Sequence, residues 1–171
     1  DVDDTVNFQV YGNMEPQKAA TEAVRETEGQ ILCQDGEAVE AYYFSTSAGV
    51  TSTDEIWGSD EAAPYLRSVP CKFDEEEPWS SWIVELPWKM LEDRIREKGE
   101  GTVLRSVTVT RRSESGAATA LEAVSDKDSC IIENEYEIRK FLAPVNCMIT
   151  EKDGTETAGG SLLPSAYIEL E

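Results

Sequence analysis

"LRSVTVTRRSESGAATALEAV", residues 104–124, decides the fold. Val107 and Val109 alternate with Ser106, Thr108 and Thr110, the period-two pattern of a half-buried strand. Ser115-Gly116 supplies turn chemistry, and Thr119 to Val124 reads as the returning strand. An antiparallel pair of this kind needs a cover on its apolar face, so the flanking sequence has to provide it.

C-terminal to this pair, Glu135 to Leu142 reads as a short helix stopped by Pro144. Thr150 to Gly160 is polar and glycine-containing and reads as a loop, and Leu162 to Leu170 reads as a closing strand. On the N-terminal side, Pro87 to Lys98 carries the clearest helical pattern. Trp88, Leu91 and Ile95 fall on one face, Glu92 and Arg96 are spaced as an i,i+4 pair, and Gly99 stands where a helix cap belongs. Trp82 to Leu86 reads as a short strand and Glu75-Glu76-Glu77-Pro78 as a solvated acidic loop. Further upstream, Gln30–Cys33 and Ala38–Ser45 form a hairpin across Asp35-Gly36. In its second strand Val39, Ala41 and Tyr43 alternate with Glu40, Tyr42 and Phe44; both faces are largely apolar, which predicts a central strand. Residues 16–25 read as a short helix with Pro16 in its first turn, and Thr5–Tyr11 as a strand or extended entry segment. No internal repeat is evident. The order of elements predicts an α+β fold, strand-dominated, as a single compact domain over residues 1–171 with a few short helices.

The composition narrows the function by exclusion. The 171 residues carry a net charge of −20, which repels a phosphate backbone and argues against nucleic acid or an anionic membrane surface as partner. A neutral or weakly charged polymer remains compatible, and for most carboxylates solubility is reason enough. There is no histidine, so Ser-His-Asp and Cys-His mechanisms are excluded within this chain. Cys33, Cys71, Cys130 and Cys147 form no C-x-x-C pair, and their pairing is not readable from spacing. No apolar run approaches the roughly 18 residues of a membrane span. The chain opens on Asp1-Val2-Asp3-Asp4-Thr5, without Met or a basic leader, which reads as a cut end.

One stretch carries more chemistry than the rest. In "YYFSTSAGVTST", residues 42–53, a strand-patterned segment runs into hydroxyls hinged on Gly49, and Trp57 and Tyr65 follow. Such a loop is most simply turn chemistry. It is also a set of donors and acceptors suited to a neutral hydroxylated ligand.

Six blocks in order, "DVDDTVNFQVYG", "AVRETEGQILCQDGEAVEAYYFSTSAGVTSTDEIWG", "PYLRSVP", "RRSESGAATALEAV", "EIRKFL" and "LLPSAYIEL", resemble the stage II sporulation protein D family, related to the amidase enhancer LytB. They span essentially the whole chain. The resemblance implies a peptidoglycan lytic transglycosylase that cleaves glycan strands already stripped of stem peptides, during sporulation and engulfment. It further implies an extracytoplasmic protein, usually carried on an N-terminal membrane anchor. On that basis the substrate-binding candidates are Ser45, Thr46, Ser47, Gly49 and Thr51 in the loop, Trp57 and Tyr65 as stacking aromatics, and Gln9 and Tyr11 along the groove. A tryptophan placed like Trp57 is more often core than platform, and Tyr11 can equally be a satisfied core phenol. Trp79 is open between a sugar ledge and core, while Trp82 and Trp88 read as core.

Transglycosylase chemistry needs one acid, which protonates the glycosidic oxygen and then accepts the proton of the sugar's own 6-hydroxyl. The resemblance puts that glutamate in a helical segment upstream of the block that opens this chain. No catalytic residue is therefore assigned within residues 1–171, and the chain alone is expected to be inactive. Some family members bind zinc through Cys and His in the first block; this chain has Asp3, Asn7 and Phe8 there, so no metal site and no cofactor is expected. Asp3 and Asp4 read as solvated. The alternative is a non-catalytic glycan-binding module or enhancer of a cell-wall amidase, or a structural subunit beside an amidase and a membrane-anchored engulfment partner.

Overall fold

The computed structural model describes residues 15–52 and 63–171. The extended segment expected at 5–11, with Gln9 and Tyr11, lies outside the described residues, as does Trp57. The fold is α+β and strand-rich. Among the described residues it has three α-helices and eight short strands in one two-stranded and two three-stranded sheets. The chain divides into a unit at Asp1–Tyr42 and a larger one at Tyr43–Glu171.

The smaller unit holds α1, Lys18–Glu26, and a hairpin of β1, Cys33–Gln34, with β2, Glu37–Ala38. Pro16 stands just ahead of the Gln17 N-cap rather than inside the helix. Asp35 and Gly36 have φ of 52° and 88°, the paired left-handed geometry of a type I′ turn. The hairpin is far shorter than expected. After Val39 N–H donates to the Leu32 carbonyl at 3.1 Å, the ladder ends. The central strand expected to run on to Ser45 is not formed, and Tyr42, Tyr43 and Phe44 are 54%, 82% and 56% exposed. A strand apolar on both faces needs a neighbour on each edge, and both three-stranded sheets are built wholly from residues 82 onward.

The larger unit is organised around β4, Leu104–Arg112, antiparallel to β5, Ala118–Ser125, as the alternation requires. β5 pairs on its other edge with β6, Ser129–Glu133, a strand the sequence reading did not identify. A second sheet has the order β3-β7-β8, from Trp82–Val84, Met148–Glu151 and Glu156–Ala158. The stretch expected to be a loop at 150–160 is thus mostly a hairpin. Its turn is Asp153-Gly154, and Glu151 N–H donates to the Thr155 carbonyl at 2.9 Å.

Two helices close the core. In α2, Trp88–Glu97, Leu91 and Ile95 are buried, and with Leu104, Leu121, Ile132, Ile138, Phe141 and Leu163 they form one apolar cluster. Removing a side chain such as Leu121 from water contributes roughly 1.5–3 kcal/mol. The end of α2 is a Schellman cap: Gly99 has φ 79°, its N–H donates to the Arg96 carbonyl at 3.0 Å, and Glu100 N–H reaches the Ile95 carbonyl at 3.1 Å. Two expectations about this helix fail. Trp88 is 47% exposed rather than core, its indole Nε1 donating to the Leu104 carbonyl at 3.2 Å. Arg96 pairs with Asp93 at 2.6 Å instead of Glu92, whose Oε1 accepts from Leu104 N–H at 3.2 Å. Glu92 sits beside the first residue of β4, whose backbone N–H offers it a donor.

The third helix, α3, Glu135–Phe141, is capped by Asn134, whose Oδ1 accepts from Glu137 N–H at 3.0 Å. The Arg94 guanidinium donates to the Phe141 and Ala143 carbonyls at 2.5 and 2.6 Å, satisfying the helix end. Residues 162–170 do not form the closing strand expected of them. Leu163, Ala166 and Ile168 are buried, but the segment makes single bonds in place of a ladder. Ala118 N–H donates to the Ala166 carbonyl at 2.8 Å, while Arg139 and Arg112 donate to the Leu163 and Ile168 carbonyls at 2.7 and 2.8 Å. Pro164 removes one donor, and arginines take carbonyls that a strand would have used.

Candidate functional site

The loop at 45–52 belongs to the larger unit and is shaped by its own hydroxyls. Ser47 is buried, at 6% exposure, and its N–H donates to Asp74 Oδ2 at 2.8 Å. The Ser47 amide first, then its hydroxyl, hold the Asp74 carboxyl below the usual carboxylate range, and the Cys71 thiol, 3.5 Å from the same oxygen, acts in the same direction. Gly49 N–H returns to Ser47 Oγ at 3.3 Å, and the Gly49 carbonyl accepts from Cys71 N–H at 2.9 Å. Gly49 has φ +87°, a backbone that an L side chain rarely adopts. A Cβ there would meet nothing within 4 Å, so the space above the turn is open.

Val50 bridges Pro70, and this brings the loop against residues 67–71. Thr51 N–H donates to the Val69 carbonyl at 2.9 Å, Val69 N–H donates to Thr51 Oγ1 at 3.0 Å, and Ser68 Oγ donates to the Thr51 carbonyl at 2.7 Å. The structure therefore joins Ser47, Gly49 and Thr51 into one hydrogen-bonded turn. Their polar groups face the chain itself. Ser45 and Gly49 are exposed, Thr46 is half-buried, and Tyr65 is 39% exposed on the segment that follows.

Of the tryptophans weighed for sugar stacking, Trp82 packs against the core cluster and Trp79 is half-buried in the 3-10 turn Pro78–Ser80. The cysteines are free thiols: Cys33 is exposed, and Cys71, Cys130 and Cys147 are half-buried, with burial pushing the Cys130 thiol up. Among the described residues no three Cys, Asp or Glu side chains gather to hold a metal ion. No helix there is long and apolar enough to cross a membrane.

Sequence reasoning missed Asp74, which anchors Ser47, and it missed the partners of Ser52. Ser52 Oγ lies 2.5 Å from the Tyr167 hydroxyl, which donates to Ser115 Oγ at 2.8 Å. The signal for Ser115 and Tyr167 was present, since both stand in blocks that carried the resemblance. Nothing in the spacing joined those blocks to the loop.

An α+β unit with a hydroxyl-lined turn beside its sheets matches no protein-family model and no solved structure. Curated proteins do match. Stage II sporulation protein D of Bacillus subtilis is 38% identical over 89 residues, covering 45% of this chain and 26% of that protein. The protein of the same name from Bacillus amyloliquefaciens is 37% identical over 89 residues, again covering 45% and 26%. The amidase enhancer of Bacillus subtilis is 33% identical over 94 residues, covering 54% of this chain and 13% of that protein. The chain is similar to the stage II sporulation protein D and amidase enhancer proteins, and it matches only a minor part of their length.

Proposed function

We propose that the chain is the glycan-contacting part of a protein that works on the cell wall during sporulation. The longer protein is then a lytic transglycosylase for glycan strands freed of stem peptides. The observation that carries this reading is the similarity to stage II sporulation protein D over 89 residues. The geometry is compatible: an open turn at Gly49 lets a neutral polymer approach the backbone. With a net charge of −20, attraction to glycan rests on hydrogen bonds and stacking rather than charge. In the reaction the glycosidic C–O bond breaks as an acid protonates the leaving oxygen. The sugar's 6-oxygen then attacks its own C1 and gives its proton to the same group, leaving a 1,6-anhydro end. We assign no acid within residues 1–171. Extracytoplasmic placement and a membrane-anchored engulfment partner belong to the same proposal.

A second reading, a module that binds glycan and stimulates a cell-wall amidase, is favoured by the match to the amidase enhancer across 54% of the chain. One experiment separates the two. The purified chain is titrated with peptide-free glycan oligomers, products are followed by mass spectrometry, and a cell-wall amidase is assayed with and without the chain. Saturable binding without 1,6-anhydro products is expected. Turnover would place an acid among these residues, an accelerated amidase would support the second reading, and absent binding would overturn the glycan assignment.

A further inference from the structure

Three blocks far apart in sequence meet on one chain of hydroxyls. Ser52 and Tyr167 are 115 residues apart, and Tyr167 and Ser115 are 52 apart. The Tyr167 proton goes to Ser115 Oγ, so at the 2.5 Å contact Ser52 is the donor and the phenol oxygen the acceptor. Ser115 Oγ lies 2.9 Å from Ser113 Oγ, which accepts from Ala117 N–H at 3.1 Å. All four hydroxyl-bearing residues are half-buried. Aligned donors of this kind polarise one another and strengthen the chain. The Tyr167 ring packs on Ala117 and Ala166, which are 0% and 2% exposed, so its body is fixed while its tip bridges.

Among the described residues, the other bonds from the loop to the rest of the chain run to residues 67–74, which contain neither strand nor helix. Ser52 makes the side-chain bond from the loop to the turn of the β4–β5 hairpin, by way of Tyr167. We infer that Tyr167 is a positioning residue: it sets the Ser47–Ser52 turn in place relative to the sheet core, so that the turn meets a glycan strand already arranged. The inference rests on the glycan reading for its ligand but not for its first readout.

Tyr167→Phe keeps the ring and removes both bonds of the hydroxyl. In the full chain, amide hydrogen exchange is measured at Thr51, whose N–H donates to Val69, and at Leu121 in β5. The Thr51 amide is expected to exchange roughly threefold to tenfold faster, the equivalent of one neutral hydrogen bond, with Leu121 unchanged. Glycan affinity should fall by a similar roughly threefold to tenfold. Ser52→Ala should reproduce both effects, Ser52→Thr should restore them, and the Tyr167→Phe/Ser52→Ala pair should be no worse than Tyr167→Phe alone. Unchanged exchange at Thr51, equal acceleration at Leu121, or additive effects of the two substitutions would overturn the inference. Faster loop exchange in a protein whose wild type binds no glycan would support the positioning role and overturn the glycan reading.

Discussion

The β4–β5 hairpin and the loop at 45–52 lie in the same unit, yet different forces hold them. The hairpin is a ladder from Leu104↔Ser125 to Arg112↔Ala118, with Leu121 and Ala123 at 0% and 1% exposure on its inner face. The loop has one isolated bridge, Val50↔Pro70, and is otherwise tied by hydroxyls, one carboxylate and backbone groups brought from elsewhere in the chain. Burial ties a segment to the whole core, so the hairpin opens only when the unit does. Hydrogen bonds near the surface open one group at a time. A loop tied this way is ordered but can be loosened without unfolding the scaffold.

The comparison breaks most severely if the core is touched. Leu121→Ala leaves a cavity on the inner face of β5 and should cost about 2–5 kcal/mol of global stability. Urea unfolding should show a lower midpoint at an unchanged slope, with hairpin and loop lost together. A cost under about 1 kcal/mol would mean that β5 is not what ties the unit together.

The same contrast explains what could be read from sequence. The β4–β5 pair is a local pattern: Val107 and Val109 against Ser106 and Thr108 identify the strand without reference to any distant residue. Asp35-Gly36 gave its turn for the same reason. Asp153-Gly154 is the same dipeptide, but Thr150, Glu151, Glu156 and Thr157 around it look like loop. Thr150 and Glu156 stay exposed, and the one buried carboxylate, Glu151, is satisfied by the half-buried Thr157, whose Oγ1 donates to it at 2.5 Å. The strand expected at Ala38–Ser45 erred the other way: its apolar faces were legible, whereas the lack of a ladder beyond Val39 among the described residues was not. At the site, the hydroxyls and Gly49 could be found by composition. Their partners could not, because Asp74 lies 27 residues from Ser47 and Tyr167 lies 115 from Ser52.

A change confined to the loop sharpens the comparison. Gly49→Val asks a β-branched residue to hold φ +87°, at a site where the added Cβ itself meets nothing within 4 Å. Backbone strain of roughly 1–3 kcal/mol is therefore the expected penalty, and it falls on the turn. The Thr51 amide should exchange faster and glycan binding should weaken, with the exchange of Leu121 little altered. If binding and Thr51 exchange match wild type, the turn does not need its left-handed backbone and is not the contact surface.

The gentlest probe is proton concentration. Asp74 has its pKa lowered from 3.8, chiefly by the Ser47 amide and then the Ser47 hydroxyl, which bond its charged form. The unfolded chain therefore takes up this proton at a higher pH than the folded one. The contribution of Asp74 to holding the turn is complete above 3.8 and disappears as pH falls through the lowered value. The carboxyl carbon of Asp74 and the amide of Ser47, followed by NMR, should titrate together with a midpoint below 3.8, while the Leu121 amide does not move with them. Asp74→Asn should abolish the transition and leave the Ser47 amide less protected at every pH. A shared midpoint at or above 3.8 would mean the carboxylate is not accepting from Ser47, and the loop would then be held by its bonds to residues 68–71 and to Tyr167.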